Sequence, residues 1–335
     1  MINKLYENVV NYIKKEYKFL ILCLVILVIG VFPLPVNLYV GGGIIDLEER
    51  IEIEDETKQK GSFNLAYVRE SRATLPTYLL SFITGWDRTS VKSIKIDDND
   101  NAKAMWEREQ LYLKEANDNA IINAYRLAGE EINIKKEVFQ VLYVDKNANT
   151  NLKIGDEIIS IDGKNIVSYD DIQNAASNKF IGDKIDIRVR RDNKEINCDA
   201  TIIEIDGEKK IGIYLIKLYD YEVERDIKLK FSNREGGSSG GFMLSLAIYD
   251  RLVSDDITKG MKIVGTGTID ANGNVGEIGG VKYKLKGAVS KKADIFFVPV
   301  ANYEEAINEK NEHNYDIEVI KVETLKDAIN YLESR

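Results

Sequence analysis

Gly236-Gly237-Ser238-Ser239-Gly240-Gly241 leads without a spacer into an apolar segment, Phe242-Met243-Leu244-Ser245-Leu246-Ala247-Ile248. Most Gly/Ser runs are flexible linkers between polar surfaces, whereas this one opens a helix of buried character. That placement suits a nucleophile. Glycines allow a tight strand-to-helix turn, and free backbone N–H groups around Gly237, Ser238 and Gly240 can hold an oxyanion. A serine hydroxyl also needs a base to take its proton. The chain has one histidine, His313, in a polar stretch that reads as a solvated loop, so a Ser–His–Asp triad would have to recruit that residue. A desolvated lysine is the natural substitute, because burial penalises the ammonium and draws its pKa toward working pH. Lys282, Lys284 and Lys286 are the candidates, and spacing does not choose among them.

Composition narrows the remaining chemistry. The 335 residues carry a net charge of −9, which argues against nucleic acid as a partner, since neutralising phosphates takes clustered Lys and Arg. The two cysteines, Cys23 in an apolar run and Cys198 far from it, exclude a disulfide framework and a Cys-based zinc site. Asp97-Asp98-Asn99-Asp100-Asn101 imitates the start of a calcium loop but has Ala102 where glycine belongs and Arg108 where a bidentate Glu belongs; it reads as a solvated acidic linker. No G-x-x-x-x-G-K-[ST] occurs. No cofactor and no metal is expected.

Several elements must position these groups. Phe19–Phe32 is an unbroken apolar run that continues to about Val40, long enough on hydropathy for a membrane-spanning helix over 19–40. A cleaved signal peptide is the competing reading, and no small-x-small cleavage site follows. Lys4, Lys14, Lys15 and Lys18 precede the run, and Asp46, Glu48, Glu49, Glu52, Glu54, Asp55 and Glu56 follow it. That asymmetry puts residues 1–18 in the cytoplasm and the rest outside the cell membrane. Ile44–Arg69 reads as strands turning at Gly61, Thr74–Trp86 as a helix stopped by Gly85, and 102–128 as a long helix stopped by Gly129. From 131 to 205 short strands and turns take over. The last third alternates strands and helices, an α/β rhythm.

At this point three segments carry a family resemblance: GGSSGGFMLSLAIYD, DDITKGMKIVGTGTIDANGNVGEIGGVKYK and ADIFFVP, between Gly236 and Pro299. They resemble the catalytic domain of Lon-type Ser–Lys proteases, in the membrane-anchored branch that carries a PDZ domain and lacks an ATPase. The segment GDEIISIDG (Gly155–Gly163) is similar to part of a PDZ domain. The resemblance implies an α/β (α+β) Lon-type proteolytic domain over 206–335, a PDZ-like β-rich domain over 131–205, and a segment 41–130 whose strands complete the protease, preceded by one transmembrane helix. It implies Ser239 as nucleophile, Lys284 as general base and Thr266 as the residue that orients the lysine. It further implies an ATP-independent serine endopeptidase acting on peptides or unfolded protein segments, secreted signalling peptides among them. Lon-like domains often form hexameric rings, so a homo-oligomer belongs to the same expectation. Two positions depart from the family's Pro-Ser-Ala-Gly, with Ser238 for Pro and Gly240 for Ala. That loosened turn motivates the alternative of a catalytically weak PDZ scaffold at the membrane.

Overall fold

The computed structural model describes residues 2–57, 59–97 and 100–335; Met1, Lys58, Asp98 and Asn99, the last two in the expected acidic linker, lie outside it. The chain divides into two compact units, one of residues up to Gly41 with Val68–Ile96, the other of Gly42–Tyr67 with Asp97–Arg335.

The first unit corrects the expected membrane-spanning helix over 19–40. Helix α1 (Ile2–Val31) ends there, and strand β1 (Pro33–Asp46) follows. Phe32 N–H to Val28 O closes the helix, because Pro33 and Pro35 lack N–H groups and push their preceding residues out of the helical region. Residues 19–31 rise about 20 Å as a helix, against about 30 Å of hydrocarbon. Among the described residues no helix is long and apolar enough to cross a membrane. Strand β2 (Ile51–Ile53) belongs to the second unit, and β3 (Ser62–Thr74) runs from that unit back into the first. Helix α2 (Leu75–Thr84) begins on a Thr74/Thr77 capping box with Pro76 in its first turn, and stops at Gly85 in the left-handed region, φ 67°. Strand β4 (Asp87–Ser90) pairs antiparallel with Val36–Tyr39 of β1, and α3 (Val91–Ile94) closes the unit.

The second unit holds two bodies joined by α4 (Ala102–Ala128), whose Asn101 side chain caps its first amides and whose last turn closes at Gly129. The first body is a sheet of β5 (Ile132–Val144), β6 (Glu157–Ile161), β7 (Lys164–Asn165), β8 (Lys184–Arg191) and β9 (Lys194–Thr201), with α5 (Tyr169–Ser177) packed on it. After a small hairpin, β10 (Ile203–Ile205) and β11 (Glu208–Lys210), the chain returns as β12 (Ile213–Val223), which pairs with β5 from Val144 to Ile132. Strand β12 lies beyond 205, so this sheet draws on residues assigned to the protease segment. Phe139, Val141, Ile158, Ile187 and Ile172 fill its core. Buried Asp156 takes two bonds of 2.6 Å from Arg191, which fixes the turn before β6.

The other body follows β13 (Ile227–Leu229) and alternates α6 (Gly241–Leu252), β14 (Lys262–Gly265), β15 (Thr268–Ile269), β16 (Val275–Gly276), α7 (Val281–Ser290), β17 (Ile295–Pro299), α8 (Tyr303–His313), β18 (Glu318–Val322) and α9 (Leu325–Glu333). Strands β3, β14, β17 and β18 are parallel and in that order. Both faces are covered, which parallel strands with helical crossovers require. Ile263, Ile295 and Phe297 point into a core shared with α6, α4 and α9, and their neighbours Val264, Phe296 and Val298 point into another shared with α7 and α8. Every residue of α6 is buried. The upstream strand β3 thus pairs with β14, some 200 residues on, from Lys262↔Ser62 to Gly265↔Leu65.

One further expectation fails. Asp100, assigned to a solvated linker, is buried and accepts two bonds from Arg108, at 2.9 and 2.5 Å. Helical spacing puts Arg108 two turns along α4, on the face that turns toward Asp100.

Candidate active site

Ser239 sits half-buried in the last turn before α6. The loop that presents it is held from below by α4. Gln110 Nε2 donates to Glu235 O at 2.6 Å and Gly237 N–H donates to Glu109 O at 2.9 Å, while Arg50 pairs with the Glu235 carboxylate at 2.9 Å. Its other side rests on the segment after β14, where Gly267 N–H (2.9 Å) and Thr266 Oγ1 (3.1 Å) both donate to Ser239 O. The backbone of Ser239 is therefore fixed by two elements far apart in sequence.

Of the three candidate lysines only Lys284 is buried; Lys286 is exposed, and Lys282 lies half-buried over the Tyr283 ring. Gly280 starts α7 in the left-handed region, φ 71°, which lets the chain turn sharply enough to aim the first helical turn inward. Lys284, four residues on, has 4% of its surface exposed, and its Nζ donates to Thr266 Oγ1 at 3.0 Å. Burial alone pushes its pKa down, from 10.5 to about 8, since desolvation disfavours the ammonium. Thr266 joins the other two residues, receiving Lys284 Nζ and donating to Ser239 O. A neutral amine that spends one N–H on Thr266 keeps its lone pair for an incoming proton.

Ser239, Thr266 and Lys284 thus come together, though no hydrogen bond runs directly from the Ser239 hydroxyl to Lys284 among the described residues. Of the expected oxyanion donors, Gly237 is committed to Glu109 O. The amides of Ser238 and Gly240, and that of Ser239 itself, donate to no protein group among the described residues. Gly240 is a matter of fit: a Cβ there would stand 2.7 Å from Leu65 Cδ2, so β3 fills the space that a family alanine would occupy. His313 contacts Glu309 and stacks on Tyr315, with no bond to any of these groups.

Sequence reasoning missed the supports. Glu109 and Gln110 hold the loop, and buried Asn302 makes paired 2.9 Å bonds with Ile278 just before the Gly279–Gly280 turn. Asn119 and Asn123 reach Ile269 O and Asp270 O at 3.1 and 2.8 Å. Their i,i+4 spacing on a helix is a legible signal: two short amides on a buried face must find partners.

Comparison with known families decides the two bodies. Residues 231–333 match the Lon protease (S16) C-terminal proteolytic domain and residues 109–202 match the PDZ domain family. The chain carries a PDZ domain and a Lon-type peptidase domain. The PDZ match takes in most of α4, so the helix that supports the Ser239 loop is shared between the PDZ domain and the Lon-type domain. Among solved structures, the PDZ domain of an SdrC-like protein from Listeria monocytogenes is similar at 27% identity, with a TM-score of 0.22, over 23% of this chain and 86% of that one. The second domain of a Listeria protein is similar at 28% identity, with a TM-score of 0.22, over 24% and 84%. No curated protein matches the chain.

Proposed function

We propose that the chain is a serine endopeptidase in which Ser239 attacks the scissile carbonyl and Lys284 accepts its proton and returns it to the leaving amine. Thr266 orients the lysine, and the amides of Ser239, Gly240 and Ser238 receive the oxyanion. Gly237 joins them on release from Glu109. The observation that carries this reading is the Lys284 amine, buried with no counter-charge among the described residues and tied through Thr266 to Ser239 itself. A lysine with no chemistry to do belongs in water or beside a carboxylate. The bond between the hydroxyl and the amine forms with substrate in place, in keeping with the looseness of catalytic bonds before substrate arrives.

The substrates are peptides or unstructured segments, because the sequence has no nucleotide-binding loop to drive unfolding. Secreted signalling peptides fit that class. The chain works at a membrane surface: the apolar end of α1 is exposed, with Lys14, Lys15 and Lys18 before it; a location outside the cytoplasm belongs to the same proposal. A homo-oligomeric ring is part of the same proposal. Incubating the full chain with unstructured peptides tests the chemistry: Ser239→Ala should abolish cleavage while the fold, followed by circular dichroism, survives. Equal cleavage by the variant removes the assignment. The occupied Gly237 amide favours a second reading, a PDZ scaffold with little turnover; peptide binding by wild-type chain with no product would establish it.

A further inference from the structure

Helix α2 contains no charged residue, yet it stands largely in the open. Ile83 is 85% exposed, Phe82 61% and Leu79 57%, with Leu80 and Leu75 exposed beside them. Packing within its own unit does not explain the sequence. Only Ser81 is buried, where it accepts a 3.1 Å bond from Arg88, whose guanidinium lies 4.1 Å over the Phe82 ring. A water-facing helix is normally rich in charge, and an apolar patch of this kind marks an interaction surface.

Two features of the same unit say what covers it. Helix α2 packs against α1, whose last turns, from Phe19 onward, are likewise exposed and uncharged, so one unit presents two apolar helical surfaces. The flanks are basic in a chain of net charge −9: Lys14, Lys15 and Lys18 precede the apolar end of α1, and Arg88, Lys92 and Lys95 follow α2. An apolar helix bordered by cations and by an aromatic, Trp86, matches an anionic bilayer surface, with acyl chains under the helix and headgroups at its rim. A second copy of this chain would bring the same cations face to face.

We propose that α2 is an interfacial lipid-binding helix that dips beside the end of α1 into one leaflet without crossing it. The inference rests on the membrane placement proposed above and is independent of the catalytic assignment. The sequence has two tryptophans, so Trp106→Phe, at an exposed position of α4, leaves Trp86 as the sole reporter. The probe is the full chain on phosphatidylglycerol–phosphatidylcholine vesicles with plain or brominated acyl chains. Most of the Trp86 emission should be lost in the brominated vesicles. Leu79→Glu with Ile83→Glu should restore it while the chain still floats with the vesicles and still cleaves soluble peptide at the parent rate. A chain that floats but shows equal emission in both vesicles overturns the proposal while leaving membrane placement intact. A chain that fails to float overturns both. Emission shielded from acrylamide yet untouched by bromine, with self-association in one-chain nanodiscs, assigns the face to a second copy and also overturns it.

Discussion

Arg108 on α4 and Lys284 on α7 are both buried cations, and their partners differ. At the start of α4, Arg108 is 6% exposed and meets the Asp100 carboxylate through two bonds, which raise its pKa. On α7, Lys284 is equally buried and meets a hydroxyl, and its pKa falls to about 8. A charge removed from water persists when a carboxylate replaces the lost hydration, and gives way when only a neutral dipole does. The first arrangement fixes structure and the second leaves an amine that gives up its proton near pH 8. Burial alone separates neither from the other; the partner does.

The largest expected effect comes from deleting the base. Lys284→Met should lower kcat/KM for peptide cleavage by about 10³-fold or more, and wild-type kcat/KM should climb with pH to a plateau above about 8 as the amine loses its proton. Stability should respond to the substitution in the opposite sense to activity. Because the folded value lies below the usual 10.5, the unfolded chain binds more protons between those two pH values, and wild-type stability rises with pH across that window. Below it the buried ammonium is destabilising, so the variant should gain about 2 kcal/mol at pH 7 in urea unfolding, after loss of the Thr266 bond, and nothing above pH 10.5. A variant that is both inactive and less stable at pH 7 would mean the ammonium is not held dry.

Breaking the other pair should cost stability. Arg108→Met removes both bonds to a buried carboxylate and should destabilise by about 3 kcal/mol in the same assay, with Ser239-dependent cleavage retained under native conditions. Converting one region into the other is a sharper test. Thr266→Asp gives Lys284 the partner that Arg108 already has. The plateau of the pH–rate profile should then move up by about two units and the rate at pH 7 fall about 100-fold. An unmoved profile would show that the titrating group is not Lys284.

The smallest effect concerns a carboxyl with no cation committed to it. Asp250 is fully buried, accepts Ile257 N–H at 2.8 Å through Oδ1, and leaves Oδ2 without a partner among the described residues. Burial pushes it up to about 7. The folded chain therefore binds the extra proton between its usual 3.8 and 7, so this group makes stability fall as pH rises through that range. Asp250→Asn should raise stability at pH 8 by about 1 kcal/mol and change little at pH 4, as followed by melting temperature.

These regions differ in how far the sequence disclosed them. The helix over 102–128 was legible to its last residue because Asn101 and Gly129 are local signals, a side-chain acceptor for the first amides and a residue free to turn left-handed. The Ser239 turn into a buried helix was legible because a Gly/Ser run leading straight into an apolar segment has few structural uses. The membrane span was misread because hydropathy measures transfer out of water and says nothing of backbone conformation. Val36 to Val40 are apolar enough to continue a helix, yet they follow two prolines and pair instead as β1. Asp100 was misread because an acidic run looks solvated until its counter-charge is known.

Local chemistry in the sequence determined the termini of most helices, the serine turn and the need for a base other than histidine, since caps, glycines and residue counts act within a few positions of themselves. Only the folded chain decided which lysine became dry, that Thr266 would tie it to Ser239, that β3 would lie against β14, and that α4 would carry the Ser239 loop. Each of those is a contact between groups tens to hundreds of residues apart. Their formation depends on closing the chain around a common core, a condition that no short stretch of sequence contains.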